Sequence, residues 1–207
     1  MGRSLQSRSN FEPLDRLPGP EAALAARDRV LARLIAVEKA RWPSVPIEDP
    51  IWGLIRMVMA QQISTQLACR MAERVQLAFP SLVAIDAAQI PKPAELRKFG
   101  LSERRAQCCI TILTKSPEIR RAVARGASWS EALAGIKGIG PWTLSVFRIM
   151  VLREPDVLPA GDVGLERAIR NIYGDDSDAE IISEFWRPFR SVACWYLWRT
   201  LGNVQLG

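Results

Sequence analysis

Apolar positions recur along this chain at helical spacing, and no segment sustains the alternating pattern that strands require. Between Glu21 and Trp42, Val30, Leu31, Leu34, Ile35 and Val37 form one stripe with arginines between them, which predicts an amphipathic helix ended by Pro43 and Pro46. Asp49-Pro50 reads as a helix start: a carboxylate cap worth about 1 kcal/mol, then a ring suited to the first helical position. The helix it opens, Ile51 to Ala60, is almost wholly apolar and is expected at the centre of the fold. A polar cluster, Gln61-Gln62-Ile63-Ser64-Thr65, interrupts the pattern before Leu67 to Phe79 resumes it. That cluster is either a helix–helix corner or a pair of glutamines pointing into a groove.

Prolines and Gly100 divide residues 80–99 into short segments. Ser102-Glu103-Arg104-Arg105 opens a helix expected to run to about Thr114, and Ser116 to Arg125 reads as a separate basic helix. The arginines at 104 and 105 face either phosphate or water. Glu131 to Ala134 reads as a short helix, Pro141 leads an amphipathic run, and Val163 to Tyr173 continues helically until Gly174 stops it. Ser177-Asp178-Ala179-Glu180 has the form of a capping box ahead of two last runs, Ala179 to Trp186 and Pro188 to Leu201. The predicted fold class is all-α. Residues 1–20, polar and broken by prolines, are expected to form a flexible arm, and residues 21–207 a single unit.

Composition narrows the chemistry. Apolar residues at 48% and charged residues at 24% suit a globular protein, and no run approaches the roughly 20 apolar residues of a membrane span. With no secretory leader at residues 1–16, the expected location is cytoplasmic and no membrane partner is expected. A formal charge of +6 fits a polyanion partner without requiring one. The chain has no histidine, which removes Ser-His and Cys-His pairs and the usual base near neutral pH. Cys69, Cys108, Cys109 and Cys194 lack metal-ligand spacing, so neither a disulfide framework nor an iron–sulfur cluster is indicated.

The stretch Ala134 to Arg170 holds two helix starts. Gly135-Ile136-Lys137-Gly138-Ile139-Gly140 opens onto Pro141, and Leu158-Pro159-Ala160-Gly161 delivers Asp162 to the next helix. Two helices joined by Gly-Ile-Gly form a helix-hairpin-helix, which offers backbone N–H groups to a DNA phosphate and so fixes position without reading sequence. Gly138, Gly140 and Thr143 would supply the donors, and Lys137 a charge nearby. Such a hairpin also serves proteins that only bind DNA. Asp162 is either a helix cap or a catalytic carboxylate, and the two roles are compatible.

Lys137-Gly138-Ile139-Gly140-Pro141-Trp142-Thr143, with Asp162 twenty residues after Trp142, resembles the signature of the helix-hairpin-helix DNA glycosylase superfamily, and within it the bacterial 3-methyladenine DNA glycosylase II family. Ala60-Gln61-Gln62-Ile63-Ser64 is similar to that family's minor-groove loop, and Trp186-Arg187-Pro188-Phe189-Arg190-Ser191 with Trp198 to its C-terminal helix. The resemblance implies a compact, two-lobed helical body with the active cleft between lobes. It implies a monomer with duplex DNA containing damaged bases as partner, no required cofactor, and a structural sodium or potassium ion on the carbonyls of Ala134, Ile136 and Ile139 as an option. The activity implied is hydrolysis of the N-glycosidic bond of an alkylated purine after base flipping.

On that resemblance Asp162 is the catalytic residue, and Trp142 and Trp198 line the base pocket, with Trp52, Trp195 and Tyr196 as weaker candidates. Gln62 matches the wedge that fills the gap left by a flipped base, with Gln61 and Ser64 in support. Superfamily members that also cut the backbone carry a lysine where this chain has Trp142, so a monofunctional enzyme is expected. Val146 and Val163 stand where relatives can have tyrosine, which implies a more open pocket. The alternatives are a non-catalytic DNA-binding protein and a glycosylase for deaminated or mismatched bases.

Overall fold

Asp28 divides what the hydrophobic pattern joins. In the computed structural model, which describes residues 19–43, 45–47, 49–61, 63, 65–80 and 90–202, the stripe from Glu21 to Trp42 becomes two helices, α1 (Gly19–Arg27) and α2 (Arg29–Val37). One oxygen of Asp28 caps α2 by accepting the N–H groups of Val30 and Leu31 at 2.8 and 3.0 Å. The other accepts from Tyr173 Oη at 2.7 Å and Trp186 Nε1 at 3.0 Å, so the break is fixed by distant residues that the local pattern does not reveal. Gly19 and Pro20 begin α1 and do not belong to an arm, while residues 1–18 lie outside the described residues.

The remaining helices among the described residues are α3 (Pro50–Ala60), α4 (Thr65–Ala78), α5 (Pro93–Arg97), α6 (Glu103–Ala124), α7 (Trp129–Ala132), α8 (Pro141–Met150), α9 (Val163–Tyr173), α10 (Ala179–Glu184) and α11 (Arg190–Arg199). The described residues contain no strand, in keeping with an all-α class. Asp49 caps α3 as expected, accepting from Ile51 and Trp52. The two helices expected between Ser102 and Arg125 are one, because Pro117 does not end α6. A proline leaves the carbonyl four residues earlier without its helical donor. Here that carbonyl, Leu113 O, accepts from Ser116 Oγ at 2.7 Å, so the helix continues. The cap of α10 is Asp178 rather than Ser177, since its carboxylate accepts from Glu180 and Ile181.

Two cores organise these helices. The first joins Leu54, Ile55 and Val58 of α3 to Val75 of α4, Leu96 of α5, Ile112 of α6 and Phe147 of α8. The second joins Leu24 of α1 and Leu31 and Ile35 of α2 to Ile149 of α8, Ile169 of α9 and the Val192–Trp198 run of α11. Burying a side chain such as Leu31 contributes about 2 kcal/mol, and three such anchors bind the first helices to the last. Glu21 adds a polar tie by accepting from Trp42 N at 3.1 Å and Tyr196 Oη at 3.3 Å.

Helix α8 belongs to both cores and is the seam. Phe147 faces one and Val146, Ile149 and Met150 the other, while Met57 of α3 packs against both. The seam is close: a Cβ on Gly53 would lie 2.6 Å from Val151 Cγ1, so α3 meets the end of α8 there only as glycine. The start of α8 and the start of α9 are thereby set against a rigid junction.

Candidate active site and nucleic-acid interface

The hairpin starts with Ser128, whose Oγ accepts Glu131 N at 3.2 Å while the Glu131 carboxylate accepts Ser128 N at 2.7 Å. These bonds from Ser128 hold the Glu131 carboxyl below the ordinary carboxylate range. They also place the short helix at Trp129–Ala132, two residues before the expected segment. Trp129 then packs edge-on against Phe147 with ring centroids 5.3 Å apart, which joins α7 to α8. Leu133 and Ile136 are buried in the first core, and Ile139 N donates to Ile136 O at 3.0 Å to close the turn. Gly138 adopts φ 104°, and a Cβ there would lie 2.8 Å from Cys108 Sγ, so both conformation and space require glycine.

Gly140 caps α8 with no side chain and Pro141 has no N–H to offer. The first helical bond is Leu144 N to Gly140 O at 3.0 Å, so the N–H groups of Trp142 and Thr143 lack helical partners. Exposed Lys137 lies beside them, and Arg104 with the hairpin lines one concavity of about 690 Å³. Backbone donors at a helix start, with two cations nearby, suit a phosphate.

The second helix start is built in the opposite sense. Asp162 is 7% exposed and caps α9 through Oδ1, which accepts Leu165 N at 2.5 Å. Trp198 Nε1 donates to the same oxygen at 3.1 Å, and Trp142 Nε1 donates to Oδ2 at 2.5 Å. Three N–H donors therefore aim one carboxylate, and among the described residues no Lys or Arg forms an ion pair with it. Gly164 makes this possible, since a Cβ there would stand 3.1 Å from Oδ1. Behind the carboxylate, burial and the charge of Asp162 push the Cys194 thiol up, which leaves it protonated and inert. Asp162 also lines a hollow of about 280 Å³ together with Glu166, Asp178 and Glu180 against the single cation Arg170, a mainly acidic wall that suits phosphate less than the hairpin does.

The structure brings Trp142, Asp162 and Trp198 together across α8, α9 and α11. It places Trp52 in the first core at 6% exposure, as a packing residue of α3 rather than a wall of this cluster. Trp195 and Tyr196 are core residues of the second cluster. Val146 is buried there too, whereas Val163 is exposed. Thr143 is buried, and its hydroxyl meets Gln61 Nε2 at 3.4 Å, so only its backbone faces outward as a donor. Gln62 and Ser64 lie outside the described residues.

Two contributors escape the sequence pattern. Arg105 is half-buried at the edge of the hairpin concavity, and much of its guanidinium is turned to backbone carbonyls. Its Nη1 donates to Met59 O at 2.9 Å and Gln61 O at 3.0 Å, holding the end of α3 where the glutamine loop departs. Gly164 is the other, and only the Asp-x-Gly spacing could have pointed to it. For a cation, Ala134, Ile136 and Ile139 offer backbone carbonyls alone. Ile136 O already accepts Ile139 N but keeps a second lone pair, which fits a weakly held monovalent ion. Among the described residues no cluster of three or more His, Cys, Asp or Glu side chains forms a metal site. No helix among them is long and apolar enough to cross a membrane.

Known proteins resemble this chain in sequence and in fold. Residues 55–191 match the family model described as HhH-GPD superfamily base excision DNA repair protein. The chain is 28% identical to DNA-3-methyladenine glycosylase 1 of Schizosaccharomyces pombe, over 95% of this chain and 93% of that one. It is 30% identical to a probable bifunctional transcriptional activator/DNA repair enzyme of Mycobacterium tuberculosis over 91% of its length, but spans only 41% of that relative. Among solved structures it resembles the Schizosaccharomyces pombe 3-methyladenine DNA glycosylase in complex with abasic DNA, with a TM-score of 0.65, 27% identity, and 88% and 96% of the two chains covered. A DNA-3-methyladenine glycosidase from Bacillus halodurans gives a TM-score of 0.63 at 26% identity, covering 90% of each chain.

Proposed function

This chain belongs to the HhH-GPD superfamily of base excision DNA repair proteins, and from that premise we propose that it is a monofunctional DNA glycosylase acting on alkylated purines in duplex DNA. The observation that carries the reading is the Asp162 carboxylate, fixed by two indole N–H groups and its own helix start beside the hairpin. The relatives named for 3-methyladenine support the substrate class. A cytoplasmic site of action goes with the resemblance to bacterial enzymes.

In this mechanism the hairpin N–H groups and Lys137 hold the phosphate backbone while the damaged nucleotide leaves the stack. Gln62, with Gln61 and Ser64 beside it, fills the gap in the duplex, and Arg105 holds the base of that loop. Alkylation at N3 or N7 gives the purine a positive charge, so stacking on the face of Trp142 gains about 0.5–2 kcal/mol from the cation–π term. The bond from C1′ to the base breaks with its electron pair going to the base, which departs neutral. Positive charge then spreads over C1′ and the ring oxygen, and Asp162 stabilises it electrostatically. Water adds to C1′, its oxygen forming the new bond, and the proton it sheds passes to solvent water. No amine stands at Trp142, so no Schiff base forms and the backbone stays intact. Carbonyls of Ala134, Ile136 and Ile139 would hold a monovalent cation that stiffens the hairpin turn.

The test is base release from duplexes carrying 3-methyladenine, 7-methylguanine, hypoxanthine or uracil. Release of the two methylated purines, absent with Asp162→Asn and without strand cleavage before alkali treatment, is the expected result. Release of none contradicts a glycosylase, and release confined to hypoxanthine or uracil contradicts the substrate class.

A further inference from the structure

Arg153 is out of keeping with its surroundings. It follows α8 at φ 57°, a left-handed conformation uncommon for a residue with a Cβ, and it is 8% exposed. Its Nε and Nη1 are buried with no hydrogen-bond partner. Its guanidinium carbon stands 5.5 Å from the Trp42 ring centroid, a contact that compensates some lost hydration but satisfies no N–H. Burial alone pushes this guanidinium's pKa down, with no carboxylate to oppose the shift.

The same side chain lines a hollow in the seam between the two cores, walled by α3, α4 and the end of α8. Arg56 lines it as well, and its side chain has no ion pair or hydrogen bond among the described residues. The rest of the wall is apolar apart from the Cys69 thiol, and it contains no Asp or Glu. Native proteins leave a buried cation unpaired only at a cost, so two guanidinium groups beside one apolar hollow, without counter-charge, mark a place for an anion. The accessible space is about 40 Å³, enough for about three waters and so for one tetrahedral oxyanion rather than a whole nucleotide.

We propose that Arg56 and Arg153 form a binding site for a small oxyanion of the phosphate class, set in the seam and sharing no wall residue with the hollows at Asp162 or the hairpin. The planar forks of the two guanidinium groups suit such an ion, which would tie α3 and α4 to the end of α8 and, with a small turn of the Arg153 side chain, meet its orphaned N–H groups. The source of the phosphate is either the free ion or a DNA strand. The site stands independently of the glycosylase reading, because its first test is stability.

Thermal unfolding of the full chain is compared in chloride and in inorganic phosphate at equal ionic strength. The wild type gains a saturable rise of about 3 °C in phosphate. Arg153→Met loses that rise and, having shed an unpaired buried charge, is at least as stable as the wild type in chloride. Arg56→Gln, at a partly exposed position, raises the phosphate midpoint at least tenfold. Cys69 supplies a second readout, since it lines the hollow whereas Cys108, Cys109 and Cys194 are buried. Phosphate slows its reaction with a thiol reagent in the wild type and not in Arg56→Gln, which holds even if Arg153→Met folds poorly. Binding of an undamaged duplex tells the sources apart: weaker binding by Arg56→Gln with competition from phosphate assigns a DNA phosphate, and unchanged binding assigns the free ion. No rise in phosphate over chloride, or one equal in wild type and both variants, overturns the site.

Discussion

The starts of α8 and α9 are the same kind of element put to opposite uses. Both follow glycine-containing loops and both carry the partial positive charge of a helix N-terminus. At α8 the cap is Gly140, the next residue is proline, and the free N–H groups of Trp142 and Thr143 are left for an external anion. At α9 the cap is Asp162, whose carboxylate occupies that position itself and is further held by Trp142 and Trp198. A helix start without a side-chain cap is a place to bind a phosphate, whereas one capped by a buried carboxylate is a place to present a fixed negative charge. Trp142 links them, since its backbone belongs to the first start and its indole to the second.

The largest expected effect comes from removing the charge at α9. Asp162→Asn keeps a capping oxygen but loses the carboxylate, so base release falls by about 100-fold or more while duplex affinity changes less than about twofold. Next comes the turn before α8. Gly138→Ala forces a side chain into φ 104° against Cys108, at about 1–2 kcal/mol, and duplex affinity measured by anisotropy falls about tenfold. Gly19→Ala, where a new Cβ has nothing within 4 Å and which is no part of the hairpin, is the control and leaves affinity unchanged.

Smaller effects probe the supports. Arg105→Ala removes two bonds to the carbonyls that end α3, each worth about 1 kcal/mol, and lowers base release about fivefold to tenfold with the unfolding temperature reduced by a few degrees. Smallest is Gly164→Ala, whose Cβ crowds Asp162 Oδ1 at 3.1 Å; turnover falls about threefold with affinity unchanged. Equal losses of affinity and turnover in that variant would show that the two helix starts are not separable.

What the sequence makes legible follows from the range of the forces involved. Asp49-Pro50, Gly174 and the Gly-Ile-Gly turn act on their own neighbours, so their spacing alone places α3, the end of α9 and the hairpin. Asp28 and Pro117 mislead the same reasoning because distant partners or a neighbouring hydroxyl change what they do. Asp162 stands out in the sequence through its interval from Trp142, but its second donor comes from Trp198, thirty-six residues further on. Arg105 reads as one more surface arginine because its acceptors are backbone atoms 44 and 46 residues away, which no pattern of side chains encodes. Trp52 shows the converse, an aromatic residue that resembles a pocket wall in sequence and is packing in the fold.

The division of labour between the two helix starts is tested most directly by single-turnover base release over a titration of enzyme, run side by side for Asp162→Asn and Gly138→Ala on a methylated duplex. The predicted result is a crossed pattern: Asp162→Asn reaches saturation at the wild-type concentration with a maximal rate at least about 100-fold lower, and Gly138→Ala needs about tenfold more enzyme to reach a near wild-type rate. The contradicting result is a parallel pattern, in which both variants lose rate and affinity by similar factors, or an Asp162→Asn enzyme whose maximal rate equals that of the wild type.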